Sequence, residues 1–155
     1  MIERIEDSGV PLSDIDLARV ETRLRIRLPT QYKTFLRQHN GGRPVPDCFP
    51  CGPSNDSSLS WFFEINDPSD SNDLCVNVEE AREGSYMPPE FIPIAIDAFS
   101  NLVCIIVEGV GVGEVYFLEH HLTEPSSLTK LADDFDSFCA SFFDIPDHVL
   151  DEFLT

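Results

Sequence analysis

Leu28-Pro29-Thr30-Gln31-Tyr32-Lys33-Thr34-Phe35-Leu36-Arg37-Gln38-His39-Asn40-Gly41-Gly42 reads as one short helix with both ends marked. A residue ahead of proline is pushed out of helical geometry, so Leu28-Pro29 closes whatever precedes it. Thr30 is the expected N-cap, its hydroxyl accepting from an otherwise orphaned N–H. Tyr32, Phe35, Leu36 and His39 recur at i, i+3, i+4 and i+7 and predict one buried stripe. Asn40-Gly41-Gly42 predicts a left-handed stop, a scaffold role that accounts for these three residues without function.

On the N-terminal side, Ser13 is expected to cap a first helix. Asp16 at the third helical position makes a variant capping box, and Leu12 with Leu17 fits the hydrophobic staple. Leu17, Val20 and Leu24 form the apolar face, which leaves Arg19, Arg23, Arg25 and Arg27 largely toward water. On the C-terminal side, residues 43–60 are rich in Pro, Gly, Ser, Asp and Asn and predict loop. Trp61 to Ile65 has the aromatic content of a strand. Residues 66–73 read as a polar surface loop, and Leu74, Val78 and Ala81 as a short helix ending near Gly84.

Three strands follow, at Ile92–Ile96, Leu102–Glu108 and Glu114–Glu119. Leu102 to Val107 is near-continuously apolar, as expected of a central strand covered on both faces. Gly109, Gly111 and Gly113 predict a hairpin between the last two strands. Leu128, Leu131, Ala132, Phe135, Phe138, Cys139 and Phe142 share one arc at helical spacing and predict a long helix. Asp133, Asp134 and Asp136 fall outside that arc. Asp144-Ile145-Pro146 breaks the pattern, with a further turn or two across 147–154. Helices, then strands, then a helix indicate an α+β fold with helices packed against a mainly antiparallel sheet. The chain is expected to form one domain over residues 1–155, with no internal repeat.

The 155 residues include 42% apolar residues and 12 phenylalanines, enough for a core without disulfide or metal staples. No apolar run approaches the roughly 20 residues that span a bilayer. The start lacks the blocks of a signal peptide, and five cysteines is an odd count for a disulfide framework. A reduced, cytoplasmic protein is expected. Net charge is −18 and uneven. Residues 1–43 carry eight basic and six acidic side chains (net +2), whereas residues 44–155 carry two basic and 22 acidic (net −20). That field repels phosphate backbones and anionic lipid, which excludes direct nucleic-acid and membrane binding. It favours encounter with a basic protein, and it also keeps a small domain dispersed.

Candidate chemistry is sparse. Cys48-Phe49-Pro50-Cys51 has redox or metal-ligand spacing, but no helix follows to lower a thiol pKa. No second pair completes a structural zinc site, and adjacent His120 and His121 on a strand would point apart. Loop packing is the simpler reading. Gly109-Val110-Gly111-Val112-Gly113 lacks the following helix that a nucleotide loop needs. No serine occupies a nucleophile elbow, and Cys104 and Cys139 lie on apolar patterns. Asp97, Glu108, Glu114 and Glu119 flank the strands and are the candidates for a general-acid or two-metal site. A solvated rim is the simpler account of them.

Two segments together carry a resemblance. The first is Leu28-Pro29-x-x-Tyr32-Lys33-x-Phe35-Leu36-x-x-x-Asn40-Gly41-Gly42. The second is Ile92-Pro93-Ile94-Ala95-x-Asp97-x-x-x-Asn101, followed by an apolar strand, Gly113-Glu114-Val115-Tyr116-Phe117 and Glu119-His120. Leu131-Ala132-x-x-Phe135-x-x-Phe138 completes the pattern. From roughly Asp14 to Phe143 the chain resembles the SUKH superfamily, the Smi/Knr-type domain of bacterial immunity proteins and fungal cell-wall regulators. The family favours glycine before the asparagine of its Asp-x-x-Gly-Asn turn, where this chain has Ser100.

The resemblance implies a single α+β domain with no enzyme activity and no cofactor. It implies an immunity protein that neutralises a cognate toxin, often a nuclease. A nuclease presents a basic cleft, and an acidic partner can occupy it by mimicking phosphate charge. Asp97, Glu108, Glu114 and Glu119, with Asp67, Asp70 and Asp73, are therefore the expected partner-binding residues. The alternative is an intracellular regulatory scaffold that docks a basic protein. The absence of long disordered arms favours immunity, and a metal-dependent hydrolase is the third reading.

Overall fold

The computed structural model describes residues 1–65, 71–119 and 127–145. Chain order is β1 (Arg4–Glu6), α1 (Asp14–Leu24), α2 (Thr30–Gln38), β2 (Arg43–Val45), β3 (Cys48–Pro50) and β4 (Asp56–Phe62). It continues with α3 (Leu74–Gly84), β5 (Phe91–Asp97), β6 (Leu102–Ile106), β7 (Val115–Glu119), β8 (Ser127–Ala132) and α4 (Phe135–Ala140). β3 to β8 form one six-stranded antiparallel sheet in sequence order, and β1 pairs with β2 in a small second sheet. This is the α+β architecture expected. No described helix is long and apolar enough to cross a membrane.

α1 forms as its local code dictates. Ser13 and Asp16 make a reciprocal capping box, and Leu17, Val20 and Leu24 are buried. α2 buries Tyr32 and Leu36, with Phe35 half-buried against Phe62 and Phe135. Its ends differ from expectation. Thr30 is already helical, and the cap position is Pro29, which has no side-chain bond to offer. The donor work at this corner is done from α1: Glu21 accepts from the Leu28 N–H at 2.9 Å and from Lys33 Nζ at 2.8 Å. Burial alone would raise the Glu21 pKa, but these two bonds outweigh it and hold the carboxyl below its usual range.

The helix also ends without a left-handed cap, because His39 is extended at φ −141°. Asn40 instead ties three segments together. Its Nδ2 donates to the Val10 and Ile65 carbonyls, its Oδ1 accepts from the Ile65 N–H, and its carbonyl accepts from the Gly9 N–H, each at 2.8 Å. Gly41 and Gly42 then pass directly against β4. Gly42 exchanges backbone bonds with Phe62 at 2.8 and 3.1 Å.

Residues 43–60, expected to be loop, supply β2, β3 and most of β4. β2 and β3 have three residues each, too few to announce themselves, and each exists only by pairing with a strand elsewhere: β2 with β1, β3 with β4. Pro44 is tolerated because β2 sits in a two-stranded ribbon with a free side. β4 begins at Asp56, so the strand expected at Trp61–Ile65 starts earlier and ends at Phe62.

The long helix expected over 128–142 is also corrected. Leu128 and Leu131 belong to β8, which pairs with β7, and only Phe135–Ala140 is helical. Leu128, Leu131 and Ala132 fit helical spacing and only Ser127 to Thr129 alternates, so the open edge of β7 rather than the local pattern makes the strand. Asp134 then caps α4, accepting from the Ser137 N–H at 2.7 Å. The further turn expected across 147–154 lies outside the described residues.

The sheet's register fixes its faces. Phe62, Ala95, Val103 and Phe117 are cross-strand partners and share one face. Phe62 packs edge-on against Phe135 and Phe138, and Phe49 does the same against Phe117 and Phe138, at ring separations of 5.6–6.5 Å. α2 and α4 therefore lie on this face. β3 meeting β7 through Phe49 and Phe117 means that the sheet curls round them, as sheet twist permits. All five residues of β6 are buried, which makes it the expected central strand.

The β5–β6 turn carries Ser100 at φ +66°, the left-handed conformation that the family's glycine would adopt freely. Ser100→Gly is expected to raise stability by about 0.5–1 kcal/mol: relief of left-handed strain exceeds the glycine entropy lost on folding. A urea midpoint no higher than that of the parent protein would show that the turn holds serine without strain.

Candidate functional site: a divided acidic surface

In an antiparallel meander the strand ends alternate between two edges. Asp97 at the end of β5 and Glu119 at the end of β7 lie at one edge of the sheet. Glu108 and Glu114, which bracket the β6–β7 connection, lie at the other. A five-residue strand spans roughly 17 Å. These four acidic residues therefore form two groups, and no single cleft receives all four.

Asp97 is 3% exposed and faces inward. Its carboxylate accepts from Ser57 Oγ at 2.7 Å, from the backbone N–H groups of Phe99 and Asn101 at 2.9 and 2.7 Å, and from Asn101 Nδ2 at 3.2 Å. Four donors on one carboxylate build the β5–β6 turn and leave no surface for a partner. Asp73 is also 3% exposed; it caps α3 by accepting from the Val76 N–H at 2.9 Å. Its place directly before Leu74, Val78 and Ala81 is the capping signal that identifies this role in the sequence. Asp67 and Asp70 lie outside the described residues.

Glu114 is half-buried. It accepts from Tyr116 Oη at 3.0 Å and pairs with Lys130 at 3.3 Å, while Lys130 also pairs with Asp133 at 2.6 Å. Its carboxylate folds back over Gly111, where a Cβ would lie 2.9 Å from it. Glu119 is half-buried and engaged within the fold. Glu108 is exposed and has no ion pair among the described residues. It is the most accessible of the described members of the set.

Cys48 lies in β3 and Cys51 directly follows it; both are buried free thiols. Burial, then the neighbouring Asp47 carboxylate, pushes Cys48 up to about 11. Burial, then Glu119 and Asp56, raises Cys51 as well. Both stay protonated near neutrality, the opposite of what a redox pair requires. Burial likewise raises Cys104, and it takes Cys139 up to about 12. Among the described residues no group of three His, Cys, Asp or Glu side chains converges in metal-binding geometry. His120 and His121 lie outside them.

Sequence reading missed the groove system at the Glu108 edge. One groove of about 550 Å³ runs between the β6–β7 hairpin and the Leu28-Pro29 corner. Another of about 500 Å³ lies between Arg25-Ile26 and Met87-Pro88-Pro89, with Glu108 on its rim. Tertiary approach creates both: the α1–α2 corner meets the hairpin at the first, and the end of α1 meets residues 85–91 at the second. The exposed valines within the glycine triplet were the one local signal.

No curated protein matches this chain. One family model matches residues 11–141, a span that includes the α2 signature and the Asp97–Asn101 turn: the chain belongs to the SMI1/KNR4 family (SUKH-1).

Proposed function

We propose that this chain is a non-enzymatic immunity protein that binds and neutralises a toxin domain, a basic protein of nuclease type, in the cytoplasm. What carries the reading is family membership across 131 of 155 residues, since this domain type is that of immunity proteins. The net charge of −20 on residues 44–155 supports a partner with a basic cleft. Binding needs no cofactor, and it relies on exposed Glu108, with Glu119, Asp67 and Asp70. Asp97, Asp73 and Glu114 serve the fold.

The reading predicts tight association with the toxin domain encoded immediately upstream of this chain's gene. Between low and physiological salt the on-rate should fall by about tenfold or more, because exposed charges steer encounter and ions screen them. Glu108→Lys should slow association severalfold with little change in dissociation. Stopped-flow kinetics at several salt concentrations checks both. A salt-independent on-rate would reduce the acidic surface to a solubilising role. A gene isolated among housekeeping genes would favour the regulatory-scaffold alternative.

A further inference from the structure

We propose that the β6–β7 hairpin is the apolar anchor of this chain's interface with its basic partner: Val110 and Val112 insert into a socket on that partner. The inference rests on the immunity reading above and supplies its point of contact. Val110 is 97% exposed and Val112 51% exposed. A connection between two antiparallel strands needs neither valine, and polar residues form such turns with less apolar surface in water.

The hairpin is built to hold them there. Gly109, Gly111 and Gly113 have positive φ, at +80°, +85° and +97°, which glycine adopts without strain, and contacts at the loop's base and flank hold that shape. Its base is fastened by Gly113 N–H to Ile106 O at 2.9 Å and Ile106 N–H to Glu114 O at 3.0 Å. Val107 N–H bonds to Glu90 O at 2.8 Å and fixes the other side. The Glu114 carboxylate braces the loop across Gly111, itself held by Tyr116 and Lys130. A Cβ at Gly109 or Gly113 would meet nothing within 4 Å, so the tip stands clear of the body. A preorganised apolar tip loses little entropy on docking, which is the property of an interface anchor.

The surroundings select the occupant. A second copy of the chain brings another −18 to the contact, which opposes self-association. Exposed Glu108, next to Gly109, favours a cationic group on the rim of the socket. The groove of about 550 Å³ that Val112 and Gly113 line, and the one of about 500 Å³ that Glu108 lines, accept the partner's side chains. Arg25 and Arg27, exposed on the groove walls and without ion pairs among the described residues, require neutral or acidic residues opposite them. That alternation of charge discriminates between basic partners.

The test compares wild type with Val110→Ser/Val112→Ser by surface plasmon resonance against the toxin domain encoded immediately upstream. Both valines are exposed, so circular dichroism and melting should match wild type. The expected result is an affinity about a hundredfold weaker, carried by faster dissociation, with the salt dependence of association unchanged. Equal affinity within about threefold overturns the hairpin anchor and leaves the immunity reading standing. Failure of wild type itself to bind overturns that reading and the anchor with it. A wild-type dimer in sedimentation that the double variant converts to monomer overturns the basic partner in favour of a second copy.

Discussion

Gly41→Ala is expected to destabilise the protein by about 2–5 kcal/mol, lowering its melting temperature by roughly 4–20 °C. Two costs add. Gly41 has φ +67°, where a Cβ strains the backbone by about 1–2 kcal/mol. The new methyl would also lie 2.7 Å from the Phe62 carbonyl oxygen and 2.8 Å from Glu64 Cβ. Neither is the free end of a flexible side chain, so β4 must withdraw, at the 1–3 kcal/mol typical of overpacking. Withdrawal breaks the Gly42–Phe62 backbone pair and pulls Phe62 away from α2 and α4. Gly109→Ala is the internal control: its φ is +80° but its Cβ meets open space, so only the strain remains. Urea denaturation of both variants separates the terms. Equal losses would mean that the approach to β4 carries no energy.

That expectation revises the role of the 28–42 signature. Its buried face was legible because Tyr32 and Leu36 obey a local period. Its ends were not, because their determinants are distant. Glu21, seven residues upstream, occupies the Leu28 N–H, and β4 supplies the surface that makes glycine necessary at 41. The same distinction sorts the rest of the chain. α1, α3 and β5 to β7 carry their own caps, periodicity or apolar runs and stand close to where the sequence places them. β2 and β3 carry none, and β8 carries a helical pattern that pairing with β7 overrides, so partners elsewhere decide all three.

The acidic surface divides in a similar manner. Antiparallel order alone puts Asp97 and Glu119 at one edge and Glu108 and Glu114 at the other. What composition hides is direction. A carboxylate that accepts four hydrogen bonds and one that stands in water are the same letter. Spacing distinguishes them in part: Asp97 ends a strand just before a turn, where an Asp side chain can accept from the backbone N–H two residues on, here that of Phe99. Glu108 has no such partner and is left to solvent.

Asp97→Ala is accordingly expected to cost about 3–4 kcal/mol of folding free energy. Ser57, only 7% exposed, loses its acceptor, and the Phe99 and Asn101 N–H groups lose the bonds that hold the turn. Hydrogen bonds to a charged group contribute about 1.5–3 kcal/mol each, and water recovers part of this at the more open Asn101 side. Asp97→Asn should lose less, about 1–2 kcal/mol, since Oδ1 still accepts from both backbone N–H groups and only the Oδ2 side changes from acceptor to donor. Because Ser100 belongs to the same turn, Ser100→Gly should recover part of the alanine loss, and the two changes should not add. Thermal melts of the four proteins test the stability terms, and binding measured well below their melting range tests the role. If Asp97 builds the turn, partner affinity per folded molecule stays within a few-fold of wild type while stability falls. An Asp97→Ala protein that melts like wild type yet loses partner affinity would overturn that assignment and return Asp97 to the interface.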